Sequence, residues 1–375
     1  MRLTRLDIAD LRRFGRVQLL PGPGLNLILG PNGAGKTSVL EAAHLMAYGR
    51  SFRGRVGEGL IREGAPALEV FVEWTEERGR ARKAGLRHSG QAWEGRLDGI
   101  PVTQLGDLCA ALAVVTFEPG SHALVGGGGE PRRRFLDWGL FHVEPEFLRI
   151  WRRYSRALKQ RNALLKARVR DAELDTWEHE LAEAGEPLTA ARQRYLEELQ
   201  PRLEEVASAL APSLGMARLD FLPGWRREEM PLADALLLAR DRDLASGFTS
   251  VGPHRADWRI GFAAIPGRAA LSRGQGKLSA LSVLLAQAEQ HAALRGEWPV
   301  IALDDLGSEL DREHQRLVLT RLQACGAQVL ITGNEAPAVP ALLAEAQLFH
   351  VEHGELRTGT QANRRANTDN AGTDA

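Results

Sequence analysis

The stretch Leu25-Asn26-Leu27-Ile28-Leu29-Gly30-Pro31-Asn32-Gly33-Ala34-Gly35-Lys36-Thr37 decides how the rest of the chain is read. Five residues of buried-strand character run straight into a glycine-rich turn, and residues 36–48 then have helical character. Residues 30–37 fit G-x-x-x-x-G-K-[ST] in the context a phosphate-binding loop requires, after an apolar strand and before a helix. Glycines let the backbone turn its N–H groups inward around a phosphate, and the helix N-terminus adds its dipole. In such a loop Gly30, Pro31, Asn32, Gly33, Ala34 and Gly35 form the cradle. Lys36 reaches the β- and γ-phosphates, and Thr37 ligates Mg²⁺. This is the signature of an ATP site.

Working outward, residues 3–8, 17–20, 68–74 and 112–117 have strand character, and 78–99 reads as polar hairpins. The four glycines at 126–129 read as a flexible linker, with a phosphate-contacting loop as the alternative. From about 144 to 210 the chain is dense in Leu, Ala, Arg and Glu at helical spacing. Pro187 and Pro201 there predict several helices in place of one long one. Strands return at 258–265, 299–303 and 328–332, with helices over 276–294 and 311–324. The expected organisation is an α/β head made of 1–143 and 246–357, a helical insertion lobe at 144–245 and a disordered tail at 358–375.

The 375 residues suffice for two or three domains. No run of about 20 uncharged apolar residues is present, so no membrane span is expected. The opening MRLTRLDIADLRRF has no apolar h-region and does not read as a signal peptide. Cys109 and Cys325 are isolated, and the ten histidines form no ligand-spaced cluster. A cytoplasmic protein without a disulfide or structural zinc framework is expected. Charge is balanced at 48 Lys+Arg against 48 Asp+Glu, which argues against a basic nucleic-acid footprint until the distribution is considered. Lysine occurs only at 36, 83, 159, 166 and 277, so the other 43 cations are arginine. That bias fits a GC-rich genome. It discounts arginine clusters and makes the retained Lys36 more informative.

Two further motifs complete an ATP site. Leu271-Ser272-Arg273-Gly274-Gln275-Gly276-Lys277 precedes a helical run, and Ser and Gly there make an N-terminal anion site. Val300-Ile301-Ala302-Leu303-Asp304-Asp305 is an apolar strand ending in two carboxylates. Alone, such a pair reads as a solvated turn. In the order phosphate loop, LSRGQ, acidic strand tip and Ser308-Glu309-Leu310-Asp311, Asp304 is placed to hold Mg²⁺. Asp305 is then placed to orient or deprotonate the attacking water.

This combination resembles the ATP-binding-cassette ATPase superfamily and, within it, the RecF family of bacterial DNA-repair proteins, relatives of the structural-maintenance-of-chromosomes proteins. The segments that carry the resemblance include LTRLDIADLRRF at 3–14, GKTSVLEA at 35–42, GRSFR at 49–53, GGEPRRRFLDWGLFHVEP at 128–145, LKQRNALL at 158–165 and GPHRADWRI at 252–260. The resemblance implies an ABC-type head, a mixed or parallel sheet with flanking helices, and a homodimer formed head to tail when ATP is bound. Ser272, Arg273, Gly274 and Gln275 would meet the nucleotide held by Lys36 of the other copy. With Asp in place of the usual Glu at 305, hydrolysis is expected to be slow, as suits a switch. At the usual switch position Thr332-Gly333-Asn334-Glu335 has no histidine, and the loop EPGSHAL after Phe117 has no clear glutamine, so neither γ-phosphate sensor is assigned.

The resemblance also implies ATP-dependent binding to double-stranded and gapped DNA, mediator partners of the RecO and RecR type, and indirect action on the RecA recombinase. Residues 149–170 hold nine basic side chains and no acid. Arg149, Arg152, Arg153, Arg156, Lys159 and Arg161 are the expected DNA contacts, with recognition through the phosphate backbone. The alternative is an ordinary solvated helix whose Trp151 and Tyr154 pack inward. Arg132, Arg133 and Arg134 form a second basic group, and Arg50, Arg53 and Arg55 a third. Two other functions share the ATP site. A transporter's nucleotide-binding subunit is disfavoured by the helical insertion and the segments above. A coiled-coil tether is excluded because only about 235 residues separate Lys36 from Ser272.

Overall fold

The computed structural model describes residues 1–54, 59–169, 172–265, 271–337 and 339–359. Fourteen strands lie among them. In chain order they are β1 Arg2–Leu11, β2 Phe14–Leu19, β3 Leu25–Leu29, β4 Leu68–Thr75, β5 Ala81–His88, β6 Trp93–Leu97, β7 Ile100–Val102, β8 Val114–Phe117, β9 Ala217–Leu222, β10 Asp257–Phe262, β11 Val300–Leu303, β12 Val329–Gly333, β13 Gln347–Glu352 and β14 Glu355–Gly359. The chain divides into two compact units. One comprises residues 1–121 and those from 291 onward; the other comprises 122–290.

The first unit holds two six-stranded sheets. One is antiparallel, in the order β2-β1-β4-β5-β6-β7. In β1 a register shift between Leu3 and Arg5 lets both Leu3 and Leu6 point to the core, which strict alternation forbids. The other runs β14-β13-β3-β12-β11-β8 and is parallel except for β14. Strands β8, β11 and β12 are buried along their whole length, as continuous apolar runs in a two-sided parallel sheet must be. Parallel pairing brings the carboxyl ends of β3, β8, β11 and β12 to one edge, where α/β sheets bind ligands.

The second unit is mainly helical: Gly129–Val143, Phe147–Lys166, Ala172–Leu210 and Leu232–Ser246, with the antiparallel pair β9–β10. The insertion read at 144–245 lies inside this unit, which also takes in 122–143 and 246–290. The 39-residue helix Ala172–Leu210 runs unbroken through Pro187 and Pro201, correcting the expected division into shorter helices. Both prolines are exposed, as are Glu183 and Glu197 four residues before them, so water is available to the carbonyls that each proline leaves without a donor. Gly126 to Gly129 is no slack linker. Gly126 ends one short helix, Gly129 starts the next, and Arg132 donates to the Gly127 carbonyl at 2.9 Å. In the expected tail, Thr358 and Gly359 belong to β14, and residues 360–375 lie outside the described residues.

Candidate nucleotide-binding site

At the end of β3 the chain turns through Gly30–Gly35 into the helix Lys36–Tyr48. Gly30 admits no side chain, since a Cβ there would stand 2.1 Å from the Val351 carbonyl oxygen. Gly35 has φ of 117°, a left-handed conformation that favours glycine, and a Cβ would press on the Phe14 ring at 3.0 Å. Both glycines are therefore fixed by geometry as well as by phosphate chemistry.

Lys36 is buried, and its ammonium donates to Gly30 O at 2.8 Å, Pro31 O at 2.9 Å and Asn334 Oδ1 at 2.9 Å. All three partners are neutral. Burial lowers its pKa, against the pull of the nearby Asp305 and Asp304. Thr37 Oγ1 donates to Asp304 Oδ1 at 2.9 Å. The same oxygen accepts from Thr332 Oγ1 at 2.6 Å, and Thr332 in turn accepts the Asp305 N–H at 2.9 Å. Burial pushes the Asp304 carboxyl above its ordinary range, while its two threonine partners hold it down. Asp305 adopts φ of 52°, which Asp tolerates better than most residues, and begins the short helix Leu306–Glu309. Asp311 caps the next helix by accepting the His314 N–H at 2.9 Å.

Gly35, Lys36, Thr37, Asp304, Asp305 and Thr332 line a cleft of about 520 Å³, which is also walled by Arg12, Arg13, Phe52, Arg53, Glu118 and Pro119. Arg13 donates to the Gly33 carbonyl at 2.8 Å. Arg12 forks onto the fully buried Glu41 at 2.8 and 3.1 Å, and Ser51 donates to the same carboxylate while accepting the Arg53 N–H. That chain of contacts orders GRSFR beside the phosphate loop and places Arg53 in the cleft. Arg55 lies outside the described residues. Thr37 and Asp304 offer the hydroxyl and carboxylate oxygens that Mg²⁺ prefers, and a cation there would offset the burial of Asp304. The donor set fits that ion.

The sequence assigns no nucleotide-site role to Asn334 or Arg13, and Arg53 is read there only as part of a basic group. Asn334 enters because β12 pairs with β3, which carries a strand-end side chain 298 positions away onto Lys36. No local pattern signals that contact. Glu118, directly after β8, stands in the cleft where the sequence offered no glutamine.

In the second unit, Ser272 and Gln275 form a reciprocal cap at the start of the helix Arg273–Arg295. Ser272 N–H donates to Gln275 Oε1 at 2.9 Å, and Gln275 N–H donates to Ser272 Oγ at 3.3 Å. Ser272, Arg273 and Gly274 are exposed.

The expected DNA contacts on Phe147–Lys166 separate into two groups. Arg149, Arg153, Arg156 and Lys159 are exposed and Arg152 is half-buried. Arg149 pairs with Glu146 at 2.7 Å, Arg153 forks onto Glu180 at 2.6 and 2.8 Å, and Arg156 lies over the Trp177 ring. Arg161 has 0% exposure and is enclosed by Glu178, Asp243 and Thr249, so its guanidinium presents no face to DNA. Tyr154 is buried against His254, and Trp151 donates to Asp137. The aromatics pack inward. Of the triple arginine, Arg132 is buried and forks onto Asp257 at 2.6 and 2.9 Å.

Residues 2–356 match the family described as RecF/RecN/SMC N terminal domain. The chain is 67% identical over 360 residues to a protein of Stenotrophomonas maltophilia (strain R551-3) named DNA replication and repair protein RecF, covering 95% of this chain and 99% of that protein. A protein of the same name from Thioalkalivibrio sulfidiphilus (strain HL-EbGR7) is 40% identical over 361 residues, covering 96% and 100%. In fold the chain is similar to a solved structure of the recombination mediator protein RecF with ATP, with a TM-score of 0.85, 24% identity and coverage of 96% and 98%. It is more distantly similar to an Smc head bound to the C-winged helix domain of ScpA, with a TM-score of 0.60, 14% identity and coverage of 98% and 100%. The expected ABC-type head is thereby borne out, and the transporter alternative has no support. Among the described residues no helix is long and apolar enough to cross a membrane. With matches of this identity along nearly all its length, the chain belongs to the RecF family of DNA replication and repair proteins.

Proposed function

We propose that this chain is an ATP-gated DNA-binding protein of recombinational repair, in which ATP joins two copies head to tail and the joined pair grips duplex DNA beside single-strand gaps. The observation that carries the reading is Lys36, a buried ammonium held by three neutral oxygens in a cleft open to a ligand. Such a cation is matched when phosphate oxygens replace those acceptors. Gly30 to Thr37 cradle the β- and γ-phosphates, and Arg13 and Arg53 add positive charge at the rim. Thr37 and Asp304 hold Mg²⁺, which neutralises phosphate charge when bound. Asp305 positions the attacking water and accepts its proton; its short side chain makes turnover slow.

The exposed Ser272, Arg273 and Gly274, with Gln275 at the third helical position, take the phosphate of the other copy's nucleotide at the helix N-terminus. Without the γ-phosphate this end loses its anion and the pair loosens. Exposed cations of Phe147–Lys166 contribute backbone contacts, Arg161 excepted. Family membership supports cytoplasmic action with RecO- and RecR-type mediators and, through them, on RecA. The test is DNA binding by the wild type and Ser272→Arg, with and without ATP, across a salt series. ATP tightens binding of the wild type and leaves the variant unaffected. If ATP affects neither protein, gating is wrong.

A further inference from the structure

Residues 249–257, which include most of the GPHRADWRI segment, have no part in the nucleotide chemistry above, yet the second unit anchors them heavily. Thr249 is held by Asn162, and its N–H donates to Asn162 Oδ1 at 2.8 Å. Gly252 donates to the Gly224 carbonyl, and the buried Arg192 donates to the Pro253 carbonyl at 2.7 Å. His254 Nε2 stands 2.9 Å from the Thr249 carbonyl, which accepts only, so that nitrogen carries the proton. His254 Nδ1 therefore accepts from Tyr154 Oη at 2.7 Å, and the ring is a neutral strut. Burial agrees, bringing its pKa down to about 4.

The charges around this loop fall into two sets. Arg132, Arg161 and Arg192 are buried and take up Asp257, Asp243 and Asp137. Among the described residues, Arg133, Arg242 and Arg255 hydrogen-bond or stack only onto neutral groups, although Asp257 and Asp137 attract Arg133 from farther off. Arg133 donates to the Ala256 carbonyl at 2.8 Å. Arg242 donates to Ser250 Oγ, and that hydroxyl and the Ser250 N–H both donate to Asp243. Arg255, exposed at the end of a tight turn Pro253–Arg255, lies over the Phe248 ring at 5.3 Å. Burial lowers the pKa of Arg133, with like charge from Arg192 and Arg255 set against the pull of Asp257 and Asp137. Arg255 of the loop, Arg133 of the helix Gly129–Val143 and Arg242 of the helix Leu232–Ser246 thus meet around one rigid base with no carboxylate hydrogen-bonded to them among the described residues, in a chain whose net charge is zero.

We infer that Arg133, Arg242 and Arg255 form a binding site for the phosphodiester backbone of duplex DNA. The inference rests on the proposed function and names where DNA is held. Planar guanidinium forks match phosphate oxygens, and an anion removes the repulsion between Arg133 and Arg255. Stacking on Phe248 fixes the plane of Arg255 before DNA arrives, so little side-chain freedom is lost on binding.

The experiment measures the anisotropy of a labelled duplex with ATP and full-length protein, at salt from about 50 to 200 mM. Arg255→Ala and Arg242→Ala, made singly and together, each weaken binding about tenfold at low salt and lower the log–log salt slope by about one per lost contact. Arg255→Lys keeps most of the slope. ATP-dependent dimerisation, followed by sedimentation, is unchanged in all four variants. Wild-type affinity and slope in the double variant overturn the inference, as does weaker binding with an unchanged slope, which marks a packing defect. If the wild type binds no duplex with ATP, the proposed function falls with it; if only the variants match the wild type, the function stands and this site does not.

Discussion

The two units treat a buried cation in opposite ways. In the first, Lys36 is enclosed by two backbone carbonyls and Asn334 and has no carboxylate hydrogen-bonded to it. In the second, Arg161 sits between Glu178 and Asp243 at 2.8 Å from each, and Arg192 forks onto Asp137. A buried charge with neutral partners has lost its hydration without gaining a counter-ion and is ready for an anionic ligand. A buried charge with matched carboxylates is a strut, and its value is that neither member is left alone. Partner type, more than burial or residue type, separates site from scaffold in this molecule. Arg133, Arg242 and Arg255, hydrogen-bonded to or stacked on neutral groups around the 249–257 loop, fall on the site side of that line.

The largest expected effect tests the strut. Arg161→Met leaves the buried Asp243 without its counter-charge and Glu178 with Arg240 alone, and costs the second unit about 3–5 kcal/mol, read from denaturant unfolding. ATP affinity should not change. A loss below about 1 kcal/mol removes the distinction between the two classes.

A smaller effect comes from pH and applies to neutral struts. The pKa of His254 is about 4 in the fold, below its free value of about 6.5. The unfolded chain therefore binds more protons between these values. Stability is complete above about pH 6.5 and is lost as pH falls toward 4. Burial brings the pKa of His44 in the first unit to about 3, so acid weakens both units. His254→Gln flattens the pH dependence of unfolding of the second unit alone. An identical slope in variant and wild type excludes His254 as its source.

Legibility followed the same division. The phosphate loop was legible because its meaning lies in eight consecutive residues, and β3, β11 and β12 because two-sided burial demands largely apolar runs, broken only by Asn26 in β3 and Thr332 in β12. Asp304 and Asp305 were legible as the end of such a run. Arg161 was read with its neighbours as part of a cationic face, because its partners stand 17 and 82 residues away and no local pattern carries them. The helix period does place it inward, with Tyr154, Ala157 and Leu165, and that was the available signal. The continuous helix through Pro187 and Pro201 was missed because proline punishes a buried turn more than a hydrated one. Asn334 was illegible for want of the β3–β12 pairing.

Lys36→Met is the most direct test of whether partner type marks the ligand site. Unfolding is measured on the full chain with and without saturating Mg·ATP. Removing a cation whose hydrogen bonds all go to neutral oxygens, with Asp304 and Asp305 acting only from a distance, leaves the stability of the free protein within about 1 kcal/mol of wild type. It also abolishes the stabilisation by ATP, which for wild type is about 2.7 kcal/mol at a hundredfold excess over Kd. A free variant weakened by several kcal/mol that still gains stability from ATP would contradict the account.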